Sequence, residues 1–120
     1  MTETQNPKQR RYDLEERTFL FAQRVNKYVN RLPRTISNIE NGKQLVRAAG
    51  SVGANYIEAN EALSKKDFTM RIKICRKESK ESRYWLRLTE PLKDDQKEKD
   101  SLIQEATELM KIFGSILQKV

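Results

Sequence analysis

The chain has no histidine and a single cysteine, Cys75, in 120 residues. Without an imidazole, neither Ser51 nor Cys75 has a base to activate it, so nucleophilic hydrolase or transferase chemistry is not indicated. Metal sites inside helical bundles typically draw on Glu-x-x-His pairs, so no metal and no cofactor is expected. A lone thiol leaves no internal disulfide and fits a reducing cytoplasm. Proline (3) and glycine (4) are scarce, which favours long helices with short turns over a many-stranded sheet. No apolar run reaches the roughly 18 residues that mark a membrane span. The first twelve residues carry basic side chains with no apolar segment behind them, so they do not read as a secretory signal.

What the chain has is charge. Charged residues make up 34% and hydrophobic ones 37%, a balance that suits thin helices, each wet on one side. The net charge is +7, and it is concentrated. Residues 64–90 hold nine basic and four acidic side chains, an excess of +5. Such an excess predicts affinity for polyanions in general and nothing about sequence preference.

Taken in order, Met1–Arg11 is polar and patternless and reads as a flexible arm with Lys8, Arg10 and Arg11, ahead of one domain over 12–120. Asp13 and Glu16 resemble a capping box, opening a helix to Leu32 whose seam is Leu14, Thr18, Phe21, Val25, Tyr28 and Leu32. Pro33 stops it. Ser37 and Glu40 suggest a second helix from near Asn38 to Leu63, with a core stripe of Leu45, Ala49, Val52, Tyr56, Ala59 and Leu63. An adjoining row of Val46, Gly50, Gly53, Ala54 and Ile57 is also apolar or small. Each helical glycine costs about 1 kcal/mol relative to alanine, so close approach of a neighbouring backbone is expected there. Gly42–Lys43 is no phosphate loop, because Ser37 and Gln44 stand where that loop needs glycine and a hydroxyl residue.

Ser64 and Asp67 open a third helix that runs to near Glu90, and its residues sort into three faces. Phe68, Ile72, Cys75, Ser79, Ser82 and Leu86 form a packing seam. Ile74, Glu78, Glu81, Trp85 and Leu88 form a second stripe. Lys73, Arg76, Lys77, Lys80, Arg83 and Arg87 gather on the third face, with Tyr84 at its edge. Lys93–Asp100 reads as a charged turn. A fourth helix from about Ser101 follows, with Ile103, Ala106, Met110, Phe113, Leu117 and Val120 on its seam and Leu102, Leu109 and Ile116 thickening it. Four amphipathic helices with short connections predict an all-α, up-down-up-down four-helix bundle. Carboxylates on the second stripe need partners to be tolerated inside a bundle. Arg47, Asn55, Glu58, Glu78 and Glu81 are therefore expected to form a polar network, with Arg47 pairing to Glu78 or Glu81.

Several separate motifs stand in one order: Tyr12-Asp13-Leu14-Glu15, Leu32-Pro33, Gln44-Leu45-Val46-Arg47, Ser51-Val52-Gly53-Ala54-Asn55-Tyr56, Glu58-Ala59, Lys66-Asp67-Phe68 and Arg83-Tyr84-Trp85-Leu86. In these the chain resembles the four-helix bundle family also called 23S rRNA-intervening-sequence proteins. The resemblance implies a bundle protomer that assembles into a homopentamer and brings no enzymatic activity with it. A more distant likeness in fold is to the accessory protein of diversity-generating retroelements, a basic pentamer that engages nucleic acid and a reverse transcriptase. The expectation is a cytoplasmic, non-enzymatic scaffold that binds nucleic acid, RNA first, through Lys73, Arg76, Lys77, Lys80, Arg83 and Arg87. The alternative is an adaptor whose basic face meets an acidic protein partner.

Overall fold

A computed structural model describes the backbone of residues 7–120 and the side chains of residues 13–120. Four helices make up the fold: α1 (Pro7–Asn30), α2 (Ile36–Asn60), α3 (Lys65–Leu88) and α4 (Gln96–Gln118). A single 3-10 turn, Lys93–Asp95, precedes α4. The connections are short, so successive helices run antiparallel and the chain forms the expected up-down-up-down bundle.

The helix ends follow from local chemistry, and several differ from expectation. α1 begins at Pro7, where a proline lacking an N–H costs nothing and presets the helical φ. Asp13 and Glu16 therefore lie inside the helix rather than at its start. The arm residues 1–6 lie outside the described residues. α2 is capped by Thr35, whose hydroxyl accepts from the Asn38 N–H at 3.1 Å, rather than by Ser37. It ends at Asn60, so Leu63 falls in the turn at 99% exposure instead of in the core. α3 starts where expected, with the Ser64 hydroxyl accepting from the Asp67 N–H at 3.1 Å. The charged stretch Lys93–Asp100 is not an irregular turn: it supplies the 3-10 turn and the first residues of α4.

The core takes one stripe from each helix. Phe21 and Val25, Leu45 and Val52, Ile72 and Leu86, and Leu102, Leu109 and Phe113 are all fully enclosed. Every seam residue expected on α1 is buried. On α4 the buried set is Leu102, Ala106, Leu109 and Phe113: Ala106 and Phe113 stand as expected, while Leu102 and Leu109, expected to thicken the seam, take the central places of Ile103 and Met110. Tyr56 and Phe113 meet as tilted rings with centroids 5.9 Å apart. The middle of α3 is lined by small residues, Cys75, Ser79 and Ser82, each buried. The serine hydroxyls donate to the carbonyls of Cys75 and Glu78 one turn back, both at 2.8 Å. These residues keep α3 slim, and α3 makes the broadest packing surfaces in the bundle, against α2 and α4.

Glycines mark where α2 approaches α1. A Cβ on Gly53 would stand 3.0 Å from the Thr18 Oγ1, and one on Gly42 would stand 3.0 Å from the Val29 Cγ1. Close approach is thus the reason for these two. Gly50 is different, since a Cβ there meets nothing within 4 Å.

Polar contacts fasten the open side and one end. Of the neighbouring helices α1 and α4 pack most loosely, and there an arginine ladder spaced by sevens closes the bundle. Arg17 forks onto Glu105 at 2.7 and 2.9 Å and reaches Glu108 at 2.9 Å. Arg24 grips Glu98, and Arg31 grips Asp95 at 2.8 Å. The Glu105 hydrogen bond, the largest cause, lifts the Arg17 guanidinium above its ordinary value. At the end near the α1–α2 turn, buried Asn38 donates to the carbonyls of Pro33 and Glu90 and accepts from the Glu90 N–H, each at 2.9 Å. Thr89 spends its hydroxyl proton on the Leu86 carbonyl at 2.6 Å, so Tyr28 is the donor in their 2.7 Å bond.

Candidate nucleic-acid interface

The α3 helix rests on the core through Ile72, Cys75, Ser79, Ser82 and Leu86, and its remaining positions divide between two flanks and the outside. At 3.6 residues per turn, Lys73, Lys77, Lys80 and Tyr84 follow one another at steps of four, three and four. All four are exposed. Arg76, Arg83 and Arg87 lie on the flank toward α4. The Arg76 guanidinium rests against Gly114, with its Nε 3.8 Å from where a Cβ would stand. Arg83 is half-buried and donates to the Thr107 Oγ1 at 3.4 Å. The six cations anticipated from the sequence thus occupy one continuous surface, about 21 Å from Lys73 to Arg87 at 1.5 Å per residue.

The other flank faces α2 and carries the acids. The Glu78 side chain is 14% exposed, and its ion-pair partner is its chain neighbour Lys77 at 4.0 Å. Among the described residues, Lys73, Arg76, Lys80, Arg83 and Arg87 have no carboxylate within ion-pair distance. The contrast with Arg17 and Arg24, engaged by α4, and Arg31, engaged by Asp95 just before it, is sharp.

The network expected around Arg47 does not form within the chain. Arg47 is exposed and donates to Gln44 Oε1 at 3.1 Å, one turn back on its own helix, and no ion pair joins it to Glu78 or Glu81 among the described residues. The physical reason is rotational: α2 turns Ala48 and Ala49 inward, which leaves Arg47 on the solvent side. Asn55 is bridged instead by Arg71, whose Nη1 donates to its Oδ1 at 2.9 Å, while the Asn55 amide donates to the Ser51 carbonyl and hydroxyl. Glu58 is exposed and joins none of these contacts. Arg71 was legible in principle, since it lies one helical step before Ile74 on the same stripe as Glu78.

Cys75 is enclosed and its thiol donates to the Val52 carbonyl at 3.4 Å. Burial pushes this thiol up to about 12, so it is a core side chain rather than a nucleophile. Among the described residues, no three acidic or cysteine side chains converge as a metal ion would require. No described helix is long and apolar enough to cross a membrane.

On a different face, α2 leaves Val46, Gly50, Ala54 and Ile57 exposed in a row, with Ile57 at 51%. On α1, Phe19, the residue after the Thr18 that abuts Gly53, is 58% exposed. The row runs into an open groove lined by Val29, Leu32, Pro33, Ile39, Gly42 and Val46.

The profile of the family described as 23S rRNA-intervening sequence protein matches residues 10–115. The chain belongs to that family. Among solved structures, it is similar to a protein of unknown function from the S23 ribosomal protein family of Bacteroides thetaiotaomicron VPI-5482. The two are 28% identical, the match covers 90% of this chain and 97% of the other, and the TM-score is 0.74. A search of curated proteins found no match. Neither the family nor the similar structure indicates an enzymatic activity.

Proposed function

We propose that this family member is a non-enzymatic, cytoplasmic, homo-oligomeric scaffold that binds nucleic acid, RNA first, through the basic outer face of α3. One observation carries the reading: among the described residues Lys73, Arg76, Lys80, Arg83 and Arg87 have no acidic partner, while Arg17 and Arg24 are held by carboxylates of α4 and Arg31 by Asp95 just before it. Long cations on a rigid helix neutralise phosphates and release counterions, which supplies affinity without base recognition. Assembly multiplies such a patch. A second copy is the occupant that suits the exposed α2 row, because Gly50 and Ala54 let a neighbouring helix approach closely and no charge interrupts the row. Five subunits are favoured by the family resemblance.

The test is binding of the purified protein to a structured RNA across a salt series, against a variant with Lys73, Arg76, Lys77, Lys80, Arg83 and Arg87 neutralised. Affinity falling log-linearly with salt, with a shallower slope in the variant, supports the reading. No binding at low salt by an intact oligomer ends it and moves the basic face to an acidic protein partner. Assembly is tested separately by native mass spectrometry of wild type and Ala54→Arg. A wild-type monomer at micromolar concentration would end that part.

A further inference from the structure

We infer that the α3 face takes single-stranded nucleic acid, with an unpaired base stacked on Tyr84. The inference rests on the nucleic-acid reading above and adds a ligand class to it. Tyr84 continues the exposed lysine track of Lys73, Lys77 and Lys80 by one further helical step, and Arg87 follows one turn beyond it. Tyr84 is 54% exposed.

The ring has an aromatic neighbour. Trp85 packs partly buried against the core, and the two rings meet edge-on, with centroids 5.0 Å apart and planes at 76°. In an edge-to-face pair at most one face of either ring is covered. The Trp85 contact therefore leaves at least one π-face of Tyr84 uncovered by that ring. A cationic track that carries an exposed aromatic is the combination that binds single strands: the cations follow the backbone and the ring stacks a base of any identity. A paired duplex keeps its bases stacked inside and offers this ring nothing.

The experiment compares a fluorescein-labelled oligo(U) with a fully paired RNA duplex of equal phosphate number, using anisotropy with wild type, Tyr84→Ala and Tyr84→Phe. Wild type should prefer oligo(U). Tyr84→Ala should lose roughly 5-fold or more on oligo(U), with duplex affinity and salt slope unchanged because no phosphate contact is removed. Tyr84→Phe, which keeps the π-face, should bind like wild type. Equal affinity of Tyr84→Ala and wild type for oligo(U), or an equal loss on both ligands, overturns the inference and leaves the basic face standing. Failure of wild type to bind either ligand overturns both. Unchanged helical circular dichroism confirms that the exposed position was altered without unfolding.

Discussion

Gly53 offers a decisive test of how closely α1 and α2 are packed. Replacing it with alanine gains about 1 kcal/mol of helix propensity. The new methyl stands 3.0 Å from the Thr18 Oγ1, 3.4 Å from its Cβ and 3.7 Å from its carbonyl carbon. Thr18 cannot swing away. It is fully buried, and its hydroxyl is held by the Leu14 and Glu15 carbonyls at 2.9 and 3.0 Å. Overpacking of this kind costs about 1–3 kcal/mol, so Gly53→Ala should be neutral to about 2 kcal/mol destabilising. In a Thr18→Ala background the 3.0 Å contact is gone and what remains is ordinary van der Waals contact. There the same substitution should recover its gain of about 1 kcal/mol. The coupling in the double-mutant cycle is then about 1–3 kcal/mol. Urea unfolding followed at 222 nm, at one fixed protein concentration, measures all four variants. A coupling below about 0.5 kcal/mol would mean that the two sites are independent. Close approach would then not be the reason for this glycine.

Other expectations follow from named contacts. Glu105→Gln breaks the fork from Arg17 and should cost about 1 kcal/mol at low ionic strength, less in high salt, by the same unfolding assay. Glu108 is held below its ordinary 4.5 by hydrogen bonds from Gln104 and then Arg17. Its support of the α1–α4 seam is therefore present above pH 4.5 and lost as pH falls through the depressed value; carboxyl chemical shifts against pH check the direction. Cys75, enclosed and pushed up to about 12, should resist a thiol reagent at pH 8 until urea unfolds the chain. Fast labelling in native buffer would refute its burial. Asn38→Ala strips partners from the Pro33 and Glu90 backbone groups and should cost about 1–3 kcal/mol in urea unfolding.

The fold was readable because its code is periodic. The α1 seam from Leu14 to Leu32 and the α3 seam from Ile72 to Leu86 follow directly from helical spacing, as does burial of the small residues between them. What spacing could not supply was rotation and pairing. Within the α4 seam Ala106 and Phe113 are as expected, but Leu102 and Ile103, or Leu109 and Met110, are equally apolar, and only the neighbouring helices decide which faces inward. Arg47 was misplaced for the same reason. The ladder of Arg17, Arg24 and Arg31 was visible as a seven-residue repeat, yet its partners are roughly 65–90 residues away, beyond the reach of any local pattern.

That ladder bears on the functional reading more than any single feature of α3. A bundle this rich in charge has two ways to treat a cation: oppose it with a carboxylate across a seam, or leave it in water. Along that side it does the first three times, twice between α1 and α4 and once just beyond their ends at Arg31 and Asp95, with contacts of 2.7–2.9 Å. Had the α3 cations served only to hold helices together, acids would stand across the α3–α4 seam as well. Instead Arg83 meets the neutral Thr107 and Arg76 meets Gly114. The acids of α3 itself, Glu78 and Glu81, turn toward α2. Lys73, Arg76, Lys77, Lys80, Arg83 and Arg87 therefore share one outward surface, while Arg71 is turned to Asn55 of α2. A structural role explains Arg17, Arg24 and Arg31; it gives the outer lysines Lys73 and Lys80 no carboxylate partner among the described residues.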